Sequence, residues 1–191
     1  MLYPAYPIET ERLTLRPFRA DDLEGLHAYQ SLPEVARFLY WEPRNLEESR
    51  SFLKEKMSAS AVEREGDWLV LAVVRRETGE LMGEVNLQWR SREHRQGEIG
   101  YVFDPAFHGR GFATEAAGVV LRLGFEGLDL HRVVGRLDGR NVASARVLER
   151  LGMRREAHLV QNEMVKGEWT DEVVYAMLRD EWDRRGPVPA G

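Results

Sequence analysis

The chain has 191 residues, 43% of them hydrophobic and 31% charged, which suffices for one domain with a substantial core and is short for two. Its net charge of −5 gives no overall attraction to nucleic acid or to an anionic membrane, and the absence of cysteine excludes disulfides, thiolate zinc sites and a cysteine nucleophile. No apolar run approaches the roughly 20 residues of a membrane-spanning helix, and the first residues lack the pattern of a signal peptide. We therefore expect a cytoplasmic protein.

The first half of the chain predicts a strand, several helices and a β-hairpin. Leu13 and Leu15 alternate with polar residues, which is typical of a strand near a sheet edge. Asn45, with Glu48 three residues later, predicts the start of the longest helix. In order, the predicted elements are a strand at 10–18, helices at 21–30, 33–40 and 45–65, and strands at 68–74 and 81–89. These helices either cover the sheet or also wall a substrate entrance.

The central stretch, residues 98–125, predicts a strand, a glycine-rich turn and a helix. Residues 98–103 are rich in Ile, Tyr, Val and Phe, as strands are. Gly109 and Gly111 allow the backbone to approach a ligand closely. From Ala113 onward, apolar residues recur at helical spacing, so the turn lies at a helix N-terminus. Free N–H groups and the helix dipole there favour a phosphate or pyrophosphate.

Other interpretations of this turn stay open on the residues alone. The glycines could form a tight strand-to-helix connection without a ligand. The nucleoside-triphosphate pattern G-x-x-x-x-G-K-[ST] is absent from the sequence. A dinucleotide fingerprint would need a third glycine where Thr114 stands, and Asp138 is only a loose match to its acidic residue.

The second half predicts a strand at 131–138, parallel to the central one, and then a helix capped by Asn141. The Asn-x-x-Ser spacing brings Asn141 and Ser144 together in the first helical turn. The glycine turn and this cap then lie at the carboxyl ends of adjacent parallel strands, where open sheets bind ligands. The inner face of the helix is predicted to contain Ala143, Val147, Leu148 and Leu151, with strands at 153–164 and 172–178 and a loose tail at 184–191 following.

The segment 107–116, Phe-His-Gly-Arg-Gly-Phe-Ala-Thr-Glu-Ala, resembles the acyl-coenzyme A loop of the GNAT superfamily of N-acetyltransferases. The family pattern is Gln/Arg-x-x-Gly-x-Gly/Ala; Gly111 and Ala113 fit it, and His108 departs from it. Four other motifs are similar to the RimJ/RimL subgroup of ribosomal-protein N-terminal acetyltransferases. They are the opening Thr-Glu-Arg-Leu-Thr-Leu-Arg-Pro-Phe, Glu-Ile-Gly-Tyr, Asn-x-x-Ser with Leu-Gly-Met following, and Gly-Glu-Trp-Thr-Asp. The match runs from about residue 9 to 182.

The resemblance implies a single N-acetyltransferase domain over residues 1–191. Its fold class would be mixed α/β, with helices on both faces of a central, mostly antiparallel twisted sheet. That sheet would have about seven strands and one parallel βαβ splay.

The resemblance also implies acetyl-coenzyme A (acetyl-CoA) as co-substrate and no metal. Backbone N–H groups from Gly109 to Thr114 would bind the pyrophosphate. The backbone of residues 101–103 would pair with the pantetheine amides as a substitute strand. His108, a weaker fixed charge than the usual residue, would make phosphate affinity lower or pH-dependent. The implied cofactor-binding residues are Tyr101, Val102, Phe103, His108, Gly109, Arg110, Gly111, Phe112, Ala113, Thr114 and Asn141.

Acyl transfer to an amine needs a neutral amine, a stabilised oxyanion and a hydrogen bond to the departing thiolate. The resemblance makes Ser144 the candidate thiolate donor in place of the family's frequent tyrosine; the alternative is an ordinary helix serine. Glu98 is the candidate base, acting through water, and the alternative is that it pairs with an arginine. Strand alternation puts Glu98, Gly100 and Val102 on one face of the sheet and Ile99, Tyr101 and Phe103 on the other, but leaves open which face meets the substrate.

The leading hypothesis is an N-acyltransferase that moves an acetyl group from acetyl-CoA to a primary amine by direct attack in a ternary complex. The acceptor is a protein N-terminus or a small amine such as a polyamine, an aminoglycoside or a metabolite. Alternatives are succinyl-CoA or another acyl donor, a non-catalytic CoA-binding sensor and a nucleotide-dependent oxidoreductase. No nucleic acid or membrane partner is expected, and a homodimer is left open.

Overall fold

The computed structural model describes residues 1–185. The strands are β1 (Ile8–Glu9), β2 (Leu13–Arg16), β3 (Trp68–Arg75), β4 (Leu81–Ser91), β5 (Gln96–Phe103), β6 (Arg132–Asp138), β7 (Arg154–Val165) and β8 (Glu168–Leu178). The helices are α1 (Leu23–Gln30), α2 (Pro33–Ala36), α3 (Leu46–Ser58), α4 (Phe112–Arg122), α5 (Val142–Arg150) and α6 (Arg179–Arg184). A π-helical turn, Leu123–Gly127, extends α4.

All eight strands form one sheet in the order β1-β2-β3-β4-β5-β6-β8-β7. Every neighbouring pair is antiparallel except β5 and β6, which are parallel. The predicted mixed α/β class, with a mostly antiparallel sheet and one parallel pair, is therefore confirmed. The strand beyond the predicted seven is β1, which has only two residues and so carries no alternating pattern.

The two faces of the sheet carry different helices. On one side, the α4 face, residues of α4 such as Phe112 and Val120 pack in one core with Ile99 of β5. On the opposite side, the α1 face, Leu26 of α1 and Leu53 of α3 form a smaller cluster. Because side chains alternate along β5, its odd-numbered residues from 99 onward point to the α4 face and its even-numbered ones to the α1 face.

A cleft opens where β5 and β6 separate. Only Gln96–Glu98 of β5 pair with Arg132–Val134 of β6. Beyond these three residues each strand keeps its antiparallel neighbour on the outer side but has no partner on the inner side. Backbone N–H and C=O groups on the two inner edges are thus available to a ligand. The helices α4 and α5 begin just past the open ends of these strands.

Several predicted bounds and faces were wrong. Helix α2 ends at Ala36 instead of 40, and α3 ends at Ser58 instead of 65, because residues 59–67 form an irregular segment in which Val62 exchanges two backbone hydrogen bonds with Leu2. Ala143, predicted on the inner face of α5, is exposed. Strand β8 begins at Glu168, four residues earlier than predicted.

Of the predicted tail, Arg184 ends α6 and residues 186–191 lie outside the described residues. No helix within residues 1–185 is both long and apolar enough to span a membrane.

Candidate active site

The glycine turn lies at the open end of β5 and leads directly into α4. Gly109 and Gly111 have φ angles of +76° and +81°, the left-handed region that favours glycine, and Gly111 is the N-cap of α4. None of the six backbone N–H groups from Gly109 to Thr114 donates to another residue in the described part of the chain. The hydroxyl oxygen of Thr114 is also buried there without a partner among residues 1–185. This excess of donors suits an anion.

Arg12 supports this turn from the opposite end of the sequence. Its Nη1 donates to the carbonyl oxygen of Arg110 at 2.9 Å, and its Nε donates to Glu115 at 2.7 Å. The guanidinium carbon lies 4.5 Å from the centre of the Phe112 ring. Arg12 therefore adds a positive charge beside the anion site and fixes the backbone of the turn. Sequence reasoning missed this role, although Arg12 stands within the quoted Thr-Glu-Arg motif.

His108, the departure from the family pattern, is tied to the end of β5. Its Nε2 lies 3.2 Å from the carbonyl oxygen of Phe103, so the ring closes the turn back onto the strand. The predicted effect of His108 on phosphate affinity stays a prediction.

On the α4 face, the start of α5 meets β5 across the cleft. Asn141 caps α5 as predicted, because its Oδ1 accepts from the backbone N–H of Ser144 at 3.0 Å. The Oη of Tyr101 lies 2.8 Å from the carbonyl oxygen and 2.9 Å from the Oγ of Ser144. Burial raises the pKa of the Tyr101 phenol far above its usual value. Sequence reasoning used only the backbone of Tyr101 and did not anticipate this contact.

Glu98 lies on the α1 face, at the point where β5 and β6 separate. Its Oε2 is 3.3 Å from Nη1 of Arg90 and 3.4 Å from Nε of Arg136, so the arginine pairing considered as an alternative is present. That oxygen is nevertheless buried and makes no hydrogen bond of good geometry within the described residues. Burial raises the pKa of Glu98, and the two arginines partly oppose the shift. A carboxylate with a raised pKa is a better proton acceptor.

Two further carboxylates lie near Glu98, and sequence reasoning found neither. Glu172 on β8 is 4% exposed and accepts from Arg136 and from Asn162, each at 2.9 Å. Glu163 on β7 accepts from the Tyr40 hydroxyl. Arg136 contacts both Glu98 and Glu172, Asn162 beside Glu163 donates to Glu172, and the charges of Glu172 and Glu163 add to the raised pKa of Glu98. We call Glu98, Glu163 and Glu172 the acidic cluster.

The loop between α2 and α3, residues 37–45, meets the β7–β8 hairpin beside this cluster. Besides the Tyr40–Glu163 contact, Nζ of Lys166 donates to the Ala36 carbonyl oxygen at 2.8 Å and lies 3.5 Å from Glu42. These contacts form a bridge over the α1 face of the cleft. Within residues 1–185 no group of three or more His, Asp or Glu side chains is placed to hold a metal ion.

The three groups of predicted residues therefore surround one cleft. The turn lies beyond β5, Asn141 and Ser144 lie beyond β6, and the unpaired edge of residues 101–103 lies between them. Ser144, a hydroxyl donor, is on the α4 face, whereas Glu98, a proton acceptor, is on the α1 face. The arrangement can hold an extended anionic ligand in the cleft and handle protons on either side of it.

The sequence and the fold match known acetyltransferases. Residues 12–154 match the model of the acetyltransferase (GNAT) domain. The N-acetyltransferase YnaD of Bacillus subtilis is 31% identical over 176 residues, which cover 92% of this chain and 99% of YnaD. A crystal structure of a GNAT-family acetyltransferase from Bacillus anthracis superimposes with a TM-score of 0.82 at 33% identity, covering 91% of this chain and 99% of that chain. The spermidine N(1)-acetyltransferase of Escherichia coli is 25% identical over 168 residues, which cover 88% of this chain and 87% of that protein.

Proposed function

Because this chain belongs to the GNAT family and is an acyl-CoA-dependent N-acetyltransferase, we propose that it moves an acetyl group from acetyl-CoA to the primary amine of a small cationic acceptor. The reaction we propose is direct attack by the amine in a ternary complex. The observation that carries the proposal is the β5–β6 cleft, which has unpaired backbone donors at its open end, a serine hydroxyl on one face and a buried carboxylate on the other.

The residues present fit the co-substrate. The amide donors of Gly109 to Thr114 lack acceptors in the protein, and a pyrophosphate supplies only acceptors. The unpaired edge of residues 101–103 offers both N–H and C=O groups, which match the amides of a pantetheine arm. Asn141 uses its Oδ1 for the cap, so its side-chain NH₂ would contact the co-substrate. The turn recognises phosphates and not the acyl group, so acetyl as the transferred group is part of the proposal.

For the chemistry, we assign Glu98 as the base and Ser144 as the thiolate donor. The acceptor amine arrives protonated, and Glu98 would take its proton directly or through water. The neutral nitrogen then attacks the acyl carbon, the carbon–sulfur bond breaks with its electron pair staying on sulfur, and the nitrogen releases its second proton to water to give the amide. The hydroxyl of Ser144 would donate a hydrogen bond to that sulfur. The two groups lie on opposite faces of the sheet, Ser144 on the α4 face and Glu98 on the α1 face.

The acidic cluster supports a cationic acceptor. Its three carboxylates face two arginines, Arg90 and Arg136, which leaves one negative charge in excess. An acceptor with two ammonium groups would be attracted by that excess as it binds, before Glu98 takes a proton from one of them. The relative from E. coli named for spermidine favours a polyamine within this class.

The test is turnover of the purified chain with acetyl-CoA and a panel of amines, following released CoA with a thiol reagent. The chain has no cysteine, so the protein adds no background to this assay. The panel contains spermidine, spermine, an aminoglycoside and peptides with free N-termini. We expect turnover with the polyamines. Turnover only with the peptides would move the acceptor to the RimJ/RimL class, and no turnover with any amine would contradict the enzyme assignment.

Calorimetric titration completes the test with acetyl-CoA, succinyl-CoA and NAD as ligands. We expect binding of acetyl-CoA and none of NAD. Tighter binding and faster turnover of succinyl-CoA would change the donor, and binding of acetyl-CoA without turnover would identify a sensor. Binding of NAD alone would contradict the proposal.

A further inference from the structure

Tyr101 is the residue through which β5 reaches the start of α5. Its hydroxyl oxygen lies within hydrogen-bond distance of two atoms of Ser144, the carbonyl oxygen at 2.8 Å and Oγ at 2.9 Å. The two residues are 43 positions apart in the chain, and the contact spans the cleft where the strands have no backbone partner. The proposed function gives Tyr101 no role beyond its backbone.

Counting hydrogens restricts how this contact works. The phenol has one hydrogen and the serine hydroxyl has one. If the phenol donates to the carbonyl oxygen, the Oγ contact requires Ser144 to donate to the phenol, so the Ser144 hydrogen is not available to a ligand. If the phenol donates to Oγ, the Ser144 hydrogen is free to point at a ligand. The 2.8 Å contact with the carbonyl oxygen needs the phenol hydrogen, so the first arrangement is the resting one, and the second requires that hydrogen to turn from the carbonyl oxygen to Oγ.

We propose that Tyr101 is a positioning residue that holds Ser144 in its catalytic orientation and exchanges the direction of their shared hydrogen bond as sulfur departs. The inference rests on the proposed role of Ser144. Before the reaction, Ser144 donates to the phenol. As the carbon–sulfur bond breaks and sulfur keeps the electron pair, the Ser144 hydrogen turns to the sulfur and the phenol hydrogen turns to Oγ. No O–H bond breaks in this exchange.

Two properties of Tyr101 support this role. Burial raises its pKa, so the phenol stays protonated and remains able to donate throughout the neutral range. A hydroxyl that itself accepts a hydrogen bond is also a stronger donor, because chains of hydrogen bonds polarise one another. The Tyr101 side chain would therefore strengthen the Ser144–sulfur contact without itself touching the co-substrate.

The same helix provides a matched control. Tyr175 on β8 is buried and donates from its hydroxyl to Glu149 of α5 at 2.8 Å. It thus makes the same kind of strand-to-helix contact as Tyr101, but with Glu149 instead of Ser144. Removing its hydroxyl tests what the loss of such a contact does to the fold alone.

The experiment compares steady-state kinetics and thermal unfolding for Tyr101→Phe, Tyr175→Phe, Ser144→Ala and the Tyr101→Phe/Ser144→Ala double variant. We expect Tyr101→Phe to lower kcat by about 2- to 12-fold, the value of one hydrogen bond, with little change in KM for acetyl-CoA. Tyr175→Phe should keep the wild-type kcat. The double variant should match Ser144→Ala, because Tyr101 acts through Ser144.

An unchanged kcat in Tyr101→Phe, or an effect that multiplies with that of Ser144→Ala, would overturn the inference. So would an equal loss of kcat in Tyr175→Phe, since the effect would then belong to the fold. Because the wild type is measured alongside, failure of the proposed function can be told apart from failure of the inference about Tyr101. A wild type without turnover contradicts the proposed function, whereas an active wild type with an unaffected Tyr101→Phe contradicts only the role of Tyr101.

Discussion

Replacing Gly111 by leucine tests whether the turn before α4 holds a diphosphate. Gly111 has a φ angle of +81°, and placing an ordinary L-residue in this conformation costs about 1–2 kcal/mol. For a chain of this size, that strain should lower Tm by about 2–8 °C. A Cβ at this position would lie 3.5 Å from Arg12 Nη2, which is ordinary contact, so the protein should still fold. The leucine side chain would, however, cover the amide donors of the turn.

Binding should suffer far more than folding. Hydrogen bonds to a charged group contribute about 1.5–3 kcal/mol each, so losing one lowers acetyl-CoA affinity by about 10- to 150-fold. Losing two or more should abolish detectable binding. The assay is calorimetric titration with acetyl-CoA, paired with thermal unfolding of the same samples.

Gly79→Leu is the matched control for this comparison. Gly79 has a φ angle of +75°, and a Cβ there meets no atom within 4 Å. It lies in the hairpin between β3 and β4, outside the run of amides from 109 to 114, so it should show a similar fall in Tm and wild-type affinity. If Gly111→Leu bound acetyl-CoA as tightly as Gly79→Leu, the amides from 109 to 114 would not be the phosphate site.

Three other predictions concern the remaining parts of the site. Ser144→Ala should lower kcat by about 10- to 150-fold, the value of a hydrogen bond to a charged sulfur, with nearly unchanged Kd for acetyl-CoA; an unaltered kcat would exclude its role as donor. Glu98→Gln should remove the acid limb of the kcat/KM profile for the amine. Burial raises the pKa of Glu98, so its proton-accepting form is lost as pH falls through a value above the usual carboxyl pKa of about 4.3, and a limb that persists in the variant would assign the base elsewhere. Arg12→Ala should weaken acetyl-CoA binding and make it less sensitive to salt, because it removes a charge beside the turn. Arg76→Ala, equally exposed and bonded to the Thr10 carbonyl oxygen, is its control, and equal losses in both would deny Arg12 a specific role.

The sequence predicted the elements whose cause is local. Period-2 alternation marked β2. Asn45 and Asn141 marked the starts of α3 and α5, because capping is decided within three residues. The glycine turn was predictable for the same reason. The end of α3 was not, since the segment after Ser58 is held by Leu2, which lies far away in the sequence.

The chemistry around the cleft was harder to predict because it depends on distant contacts. Tyr40 and Glu163 are 123 positions apart, and Arg12 reaches Glu115 across 103. No spacing in the sequence signals such pairs, and many other Arg and Glu residues compete for each partner. The face on which Glu98 lies was likewise undetermined until the strand register fixed it.

The bridge between residues 37–45 and the β7–β8 hairpin bears on the shape of the molecules that the proposed function can acetylate. With Glu98 as the base, an acceptor would pass beside the contacts made by Tyr40 and Lys166. A slender, unbranched amine can thread through such a passage, whereas a folded polypeptide can reach the carboxylate only by extending its first few residues as a tail. Selectivity for the acceptor would then depend on its width as much as on its charge. Replacing Tyr40 by a smaller residue would widen the passage and admit bulkier amines.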